Sequence, residues 1–312
     1  MLTLTQLPSV CEVPRDGWGR PLVIPRGGGQ PRGLTRTTTF IDAIEDKSAL
    51  TSWGKRMTLL GAARQPSLLS PVLGVDYESR EGKATLDALA ERALDAAGAN
   101  RRREHGTHLH ALSEYVDRGE ALPPGTSSRD LADMAAYKAA TTRFDVVAME
   151  QFVVVDELGV GGTFDRLLSY SGPGPDGEHI EGLIIGDLKT GSVQYGALKM
   201  ASQLAVYAHG ELYDHAAFPI DRRDGAAFAA WKKTTVTPEQ ASEAYTPLPS
   251  VNRDWGIVIH LPAGEATCTL YWADLRAGWA AAQLAGAVRR MRGTKGALRE
   301  FAAQVAQSSS AA

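Results

Sequence analysis

The sequence predicts a single α/β domain: a mixed sheet with helices on both faces and a helical elaboration ahead of it. Three observations predict this. Apolar residues between 37 and 143 recur at helical spacing. From 144 the period becomes that of strands, in three β-branched runs separated by glycines: FDVVAMEQFVVVDE, VGGTFDRLLSY and EGLIIGDLKTG. A helix and a strand pair follow, and strands joined through a helix to further strands make an α/β core. With 312 residues and 44% hydrophobic content, the chain can bury one large core.

The elements follow in order. Residues 1–35 are rich in Pro and Gly (PRDGWGRPLVIPRGGGQPRG) and read as an extended or partly disordered arm. TTTFIDAIEDKSALTSWGKRMTLLGAA, 37–63, is helical in pattern, with Asp and Ser able to cap its turns. A Pro-containing loop, 64–76, leads to the Ala/Leu-rich helix KATLDALAERALDAAG, 83–98. Another helix covers 101–120 (RRREHGTHLHALSEYVDRGE), PPGT breaks the chain at 123–126, and a further helix covers 128–143. The three strands come next, with GPGPDGE (172–178) as the turn between the second and third. QYGALKMASQLAVYAHGELYD, 194–214, is a helix, and 221–250 is irregular or a helical insertion. WGIVIHL and ATCTLYWADL pair around PAGE, and AGWAAAQLAGAVRRMR closes the fold as a helix. The domain thus spans 36–295, with its core at 101–292, and 296–312 is a tail that frays. There is no internal repeat and no heptad run.

Composition excludes several classes. The formal net charge is -3, so no global basic field points to nucleic acid. Charge is locally uneven, however. Arg101-Arg102-Arg103, Arg222-Arg223, Lys232-Lys233 and Arg289-Arg290 are solvated faces or the wall of a local positive groove. The two cysteines, Cys11 and Cys268, form no CxxC, which rules out a zinc ribbon or a four-cysteine iron–sulfur cluster within one chain. Such cysteine usage suits a reducing cytoplasm. The start MLTLTQLPSV lacks a basic n-region and an apolar core. No apolar run approaches the roughly 20 residues of a membrane helix. The expectation is a soluble, cytoplasmic protein with no membrane contact. No GxxxxGK[ST] pattern is present, so no nucleotide cofactor and no fused helicase is expected.

Four features carry chemistry. Gly106-Thr107-His108-Leu109-His110 lies on a helix. Asp165 sits within the apolar run GGTFDRLL. Asp187 and Lys189 flank Leu188 at the end of a strand, on one face. Gln203 and Tyr207 are four apart and share a helix face. Two aspartates at neighbouring strand ends suit a hard divalent cation. A histidine adds a nitrogen ligand more comfortable with Mn²⁺, and a lysine beside them can orient water or steady charge at a phosphoryl oxygen. Each feature also has a plainer reading. Asp187 and Lys189 alone make a surface ion pair, Asp165 can pair with Arg166, and Tyr207 can be core. His105 and His108 compete with His110. Trp53, Trp231, Trp255, Trp272 and Trp279 can stack on bases or simply pack. Arg36 and Arg56 can meet phosphate. Against the plain reading of Asp165, a carboxylate buried without a partner costs several kcal/mol.

The ordered set resembles the PD-(D/E)XK nuclease superfamily, and more closely its RecB-like exonuclease branch of phage-encoded type. GTHLH stands for the G-x-x-x-H helix, Asp165 for the acid of the second motif, DLK for D/E-x-K, and QLAVY for Q-x-x-x-Y. The likeness covers about residues 101–210. More softly, TRTTTFIDAIEDKSALTSWGKRM resembles the N-terminal helical segment of phage members. The resemblance implies a restriction-endonuclease-like mixed central sheet flanked by helices. It implies metal-dependent hydrolysis of DNA in recombination, repair or phage DNA processing, within a bacterial or phage-infected cell. By position, His110, Asp165, Asp187 and the Leu188 backbone carbonyl would bind Mg²⁺ or Mn²⁺, with Lys189 catalytic. Gln203 and Tyr207 would support the site and the strand. Glu150 stands where members often carry a glutamate. Glu114, four residues after His110, can orient the imidazole. A lone domain of this kind would need a recombinase or single-strand-binding partner, or a ring of its own copies, for processivity. A structure-specific endonuclease and a non-catalytic DNA-binding recombination scaffold are the alternatives.

Overall fold

The computed structural model of the chain describes residues 12–248 and 250–299; the Arg102 side chain also lies outside the described set. The described chain begins with two short paired strands, β1 (Leu22–Val23) and β2 (Arg32–Gly33), then β3 (Thr35–Arg36) and α1 (Thr37–Ile41). Four longer helices follow: α2 (Ser48–Arg64), α3 (Arg80–Ala96), α4 (Ala99–Asp117) and α5 (Ser128–Thr141). The meander is β4 (Asp145–Val155), β5 (Val160–Pro173) and β6 (His179–Lys189). After it come α6 (Ala197–Ala208), β7 (Glu211–Tyr213), α7 (Gly225–Trp231), α8 (Pro238–Ser242) and β8 (Tyr245–Pro247). β9 (Trp255–His260), β10 (Thr269–Asp274) and α9 (Leu275–Arg292) close the fold.

The result is a mixed α/β fold with a mixed central sheet flanked by helices. The sheet has eight strands in the order β10-β9-β6-β5-β4-β7-β8, with β3 attached to β5. Pairing is antiparallel except at β6–β9 and β3–β5. The parallel β6–β9 pair follows because the chain leaves β6, crosses one face as α6 and returns alongside. On that face α6 and α9 pack close: a Cβ on Gly278 would stand 2.3 Å from the Ala201 carbonyl oxygen. Leu204, Ala205, Phe164, Ile185 and Leu275 fill this core. The opposite face is covered by α4 and α5, whose Leu109, Leu112, Met134 and Tyr137 meet Leu168, Ile184, Leu188 and Ile257. Each fully buried leucine contributes about 1.5–3 kcal/mol, so Leu109 and Leu112 pin α4 to the sheet.

Several expectations are corrected. The expected helix at 37–63 is two, because Asp46 accepts from the Ser48 N–H at 2.8 Å and turns the chain. The loop at 64–76 contains two short 3-10 turns, Pro66–Leu68 and Ser70–Gly74. The helix expected to run to 214 stops at Ala208. A Cβ on Gly210 would lie 2.8 Å from Val153 Cβ, and its absence lets β7 pair with β4. Residues 221–250 hold two helices and the edge strand β8. The arm is packed, not disordered, from Glu12 onward: Val13, Leu22, Val23 and Ile24 are buried. The Tyr213 hydroxyl accepts from the Ile24 N–H, while the Tyr245 hydroxyl donates to the Ile24 carbonyl. Residues 1–11 of the arm and 300–312 of the tail lie outside the described residues. Among the described residues, no helix is long and apolar enough to cross a membrane.

Candidate active site

The site forms where β5 and β6 part. Their ladder ends at Arg166↔Gly186, one pair short of Asp165 and Asp187. Further along β5, at Val160 and Gly161, that edge pairs with β3 instead. Asp165 bridges the opening: its Oδ2 accepts from the Leu188 N–H at 2.9 Å. The parting exists because a carboxylate replaces a backbone partner in the ladder.

Asp187 is buried, and its partners come from β6 and α6. Its Oδ2 lies 2.5 Å from Lys189 Nζ, an ion pair off hydrogen-bond alignment, so that oxygen has no aligned donor. Gln203 Nε2 donates to Asp187 Oδ1 at 3.2 Å and to the Tyr207 hydroxyl at 3.2 Å. Lys189 Nζ donates to Gln203 Oε1 at 3.4 Å. The amide orientation is forced, since lysine only donates and a carboxylate only accepts. Asp187, Lys189, Gln203 and Tyr207, chosen from sequence spacing, therefore form one hydrogen-bonded group.

α4 delivers His110 from the other side. Its Nδ1 stands 3.5 Å from Asp165 Oδ2. Gly106, one turn earlier, makes the approach possible: a Cβ there would lie 2.6 Å from Thr190 Oγ1, just past Lys189. Burial holds the His110 imidazole below its usual pKa, against the attraction of Asp187 and a backbone hydrogen bond with Leu188. His110 therefore favours the neutral form that can ligate.

Glu150 lines the same cleft from β4, between Met149 and Gln151, which pair with Arg166 and Phe164 on either side of Asp165. It has φ +51°, a left-handed conformation rare for a non-glycine residue, and such strain concentrates at functional sites. Burial, then the charges of Asp165 and Glu114, push its carboxyl up to about 7. Asp187 is pushed up to about 6 by burial and by Asp165, and burial raises Asp165 as well. This crowding of carboxylates, only partly offset by the Lys189 ammonium at Asp187 Oδ2, marks a site that a cation would relieve. Oxygen donors with one imidazole suit a hard divalent ion.

The remaining expectations divide. Glu114 lines the groove but pairs with Arg118 at 3.2 Å, not with the imidazole. Arg166 does not pair with Asp165. It reaches beneath α4, donating to Asp117 Oδ2 at 2.7 Å and to Ser113 Oγ at 2.6 Å. Arg36 and Arg56 are exposed and are not among the residues lining the groove. Among the tryptophans, Trp53 lines the groove, whereas Trp231, Trp272 and Trp279 pack against buried clusters and Trp255 meets Trp272.

Among the described residues, one His/Asp trio brings its ligand atoms within 4.8 Å, and it is His105, Asp130 and Asp133 rather than the expected His110, Asp165 and Asp187. Its carboxylates are already engaged. Asp133 accepts from the Gly264 and Ala266 N–H groups at 2.6 and 2.8 Å. Asp130 is bonded to His105 and Ser127. That trio fastens α5 to α4 and to the β9–β10 turn. Asp187 is instead engaged by Lys189 and Gln203.

The site opens into a groove of about 1450 Å³, bounded by α4, α2 and the β9–β10 turn. This exceeds the roughly 300–1,000 Å³ of small-molecule pockets. The chain matches no protein-family model and no curated protein by sequence.

Proposed function

We propose that the protein is a metal-dependent deoxyribonuclease with a restriction-endonuclease-like core, acting as an exonuclease. The observation that carries the reading is the convergence of Asp165, Asp187 and Lys189 at the parted ends of β5 and β6, with Asp165 and His110 lining a polymer-sized groove. The resemblance of the four ordered motifs to RecB-like exonucleases supports it.

Asp165, Asp187, the Leu188 carbonyl and His110 would hold Mg²⁺ or Mn²⁺, which when bound lowers the pKa of water and neutralises charge on the phosphoryl group. The protein's residues supply the rest. The Lys189 ammonium, steadied by Asp187 and Gln203, orients the attacking water and faces charge developing on a nonbridging oxygen. Gln203 and Tyr207 fix the rotamer of Asp187. Glu150, whose carboxyl is raised by burial and by Asp165, stands beside the metal-binding acids and would share in neutralising their charge.

The test is purified protein with linear and covalently closed DNA, in Mg²⁺, Mn²⁺ or EDTA, beside Asp187→Ala. Metal-dependent loss of linear DNA alone, absent in the variant, is the expected result. Cutting of closed circles would make the protein an endonuclease. DNA binding with no cleavage in any condition would make it a scaffold.

A further inference from the structure

We infer that the groove is a track for an unpaired DNA strand, with one base seated against Trp53 and the phosphates held by Arg101, Arg103 and Arg129. The inference rests on the nuclease reading and deepens it by naming the form of the substrate.

The floor of the groove is one stripe of α4. Arg103, Gly106, His110 and Glu114 recur three or four residues apart, so they line a single helix face. Along that stripe the charge changes sign. Arg101 and Arg103 stand at the start of the helix, and His110 lies about 10 Å beyond Arg103 at 1.5 Å rise per residue. Beyond it are the carboxylates of Glu114, Asp165 and Glu150. Arg129 adds a third cation on the opposite wall, lying over the β9–β10 turn with its Nε donating to the Gly264 carbonyl at 3.2 Å. Among the described residues, none of these three arginines forms an ion pair with a carboxylate. The arginines would hold the phosphates at the basic end, and the carboxylates, together with Glu265 beside the Arg129 wall, would admit a phosphate only with a cation between them.

Trp53 decides between one strand and two. α2 has a single buried residue, Gly61, which crosses α3 closely; a Cβ there would stand 1.6 Å from the Ala93 carbonyl oxygen. α2 is therefore held at its far end and its near end roofs the groove. There Trp53 is half-buried yet belongs to none of the buried core clusters. It lines both the groove and a side pocket of about 310 Å³ formed with Met57, Arg64 and Arg101. Arg64 is fixed as the wall of that pocket, donating to the Ala97 carbonyl at 3.0 Å. An indole beside a base-sized pocket, flanked by arginines, is the arrangement that captures unstacked bases. Within a duplex each internal base is covered on both faces, and only the outer face of the last pair is open, so continuous contact along the groove requires an unpaired strand.

The experiment is binding by the full chain in EDTA, where hydrolysis cannot intervene. The probes are a short fluorescein-labelled oligo(dT) and a blunt hairpin duplex, read by anisotropy across a salt series. The wild type should prefer oligo(dT). Trp53→Ala should weaken oligo(dT) binding about tenfold, within the range of one lost base stack. Trp53→Phe keeps a ring and should restore most of the affinity, which separates stacking from misfolding. Arg101→Ala with Arg103→Ala should lower the salt slope by about 1.4, two phosphate contacts on a single strand. Arg223→Ala, away from the groove, is the control. Unchanged oligo(dT) affinity in Trp53→Ala, or a wild type that prefers the blunt duplex, would overturn the inference. A parallel assay with bis(p-nitrophenyl) phosphate and Mn²⁺ reads the nuclease claim alone. Hydrolysis there with unaltered Trp53→Ala binding defeats the track only; Trp53-dependent binding with no hydrolysis of any substrate defeats the nuclease reading only.

Discussion

Arg166→Met should be among the most destabilising single changes in the protein. The guanidinium is 2% exposed and its partner Asp117 is 3% exposed. Nε donates to Asp117 Oδ2 at 2.7 Å, and a terminal nitrogen donates to Ser113 Oγ at 2.6 Å. The Tyr137 hydroxyl, also buried, donates to Asp117 Oδ1 at 2.7 Å. Methionine fills the volume but leaves the Asp117 carboxylate with a single neutral donor. Breaking a buried pair from one side costs about 3–5 kcal/mol, a large part of the roughly 5–15 kcal/mol that holds a domain folded. Removing both charges is different: Arg166→Met with Asp117→Leu should recover most of the loss, because a well-packed apolar pair commonly matches a buried ion pair. Urea unfolding of the four proteins in this cycle gives the coupling directly. The site should feel the change as well, since Ser113 and His110 are one turn apart on α4 and Arg166 follows Asp165 on β5. A cost below about 1 kcal/mol for Arg166→Met, or a double variant no better than the single, would refute the reasoning.

Other outcomes follow from the same geometry. Glu150 is lifted from 4.5 to about 7, so the folded state holds its proton more tightly than the unfolded chain does. Its contribution is full below pH 4.5 and is lost as pH rises through 7. In EDTA, Glu150→Gln should therefore stabilise the protein above pH 7 by about 2 kcal/mol, discounting roughly 3 for water in the groove, and do nothing below 4.5; thermal unfolding across pH checks this. Gly106→Ala should cost about 1–2 kcal/mol by pressing on Thr190, and Thr190→Ala should relieve it, as read by urea midpoints and cleavage rate. Gln203→Ala leaves Asp187 Oδ1 without its donor and should cost about 1–3 kcal/mol in urea unfolding.

What the sequence disclosed and what it hid have physical causes. The meander from 144 to 191 was legible because alternation and glycine punctuation are local, and the Gln203–Tyr207 pair because a helix turn is local too. The DLK triplet placed Asp187 and Lys189 side by side through strand period alone. Arg166 misled because its partners, Ser113 and Asp117, are 53 and 49 residues away and no spacing rule reaches them. β7 and β8, three residues each, are too short to show a period; β7 forms on the edge of β4 and β8 on the edge of β7. The buried arm was hidden by its Pro and Gly content, which mask the short apolar run at Leu22–Ile24. Glu150 stood out in the sequence only through the family resemblance; its left-handed backbone is a property of the folded sheet.

The most direct test of the central claim is the cleavage rate of linear DNA by Lys189→Ala, measured in Mg²⁺ beside its DNA affinity in EDTA. If Lys189 orients water against the phosphodiester, the rate should fall by about 10²–10⁴, the span of a lost proton-handling group, while affinity stays within a few-fold. Cleavage near the wild-type rate would contradict the account and return Asp187 and Lys189 to an ion pair at the end of a strand.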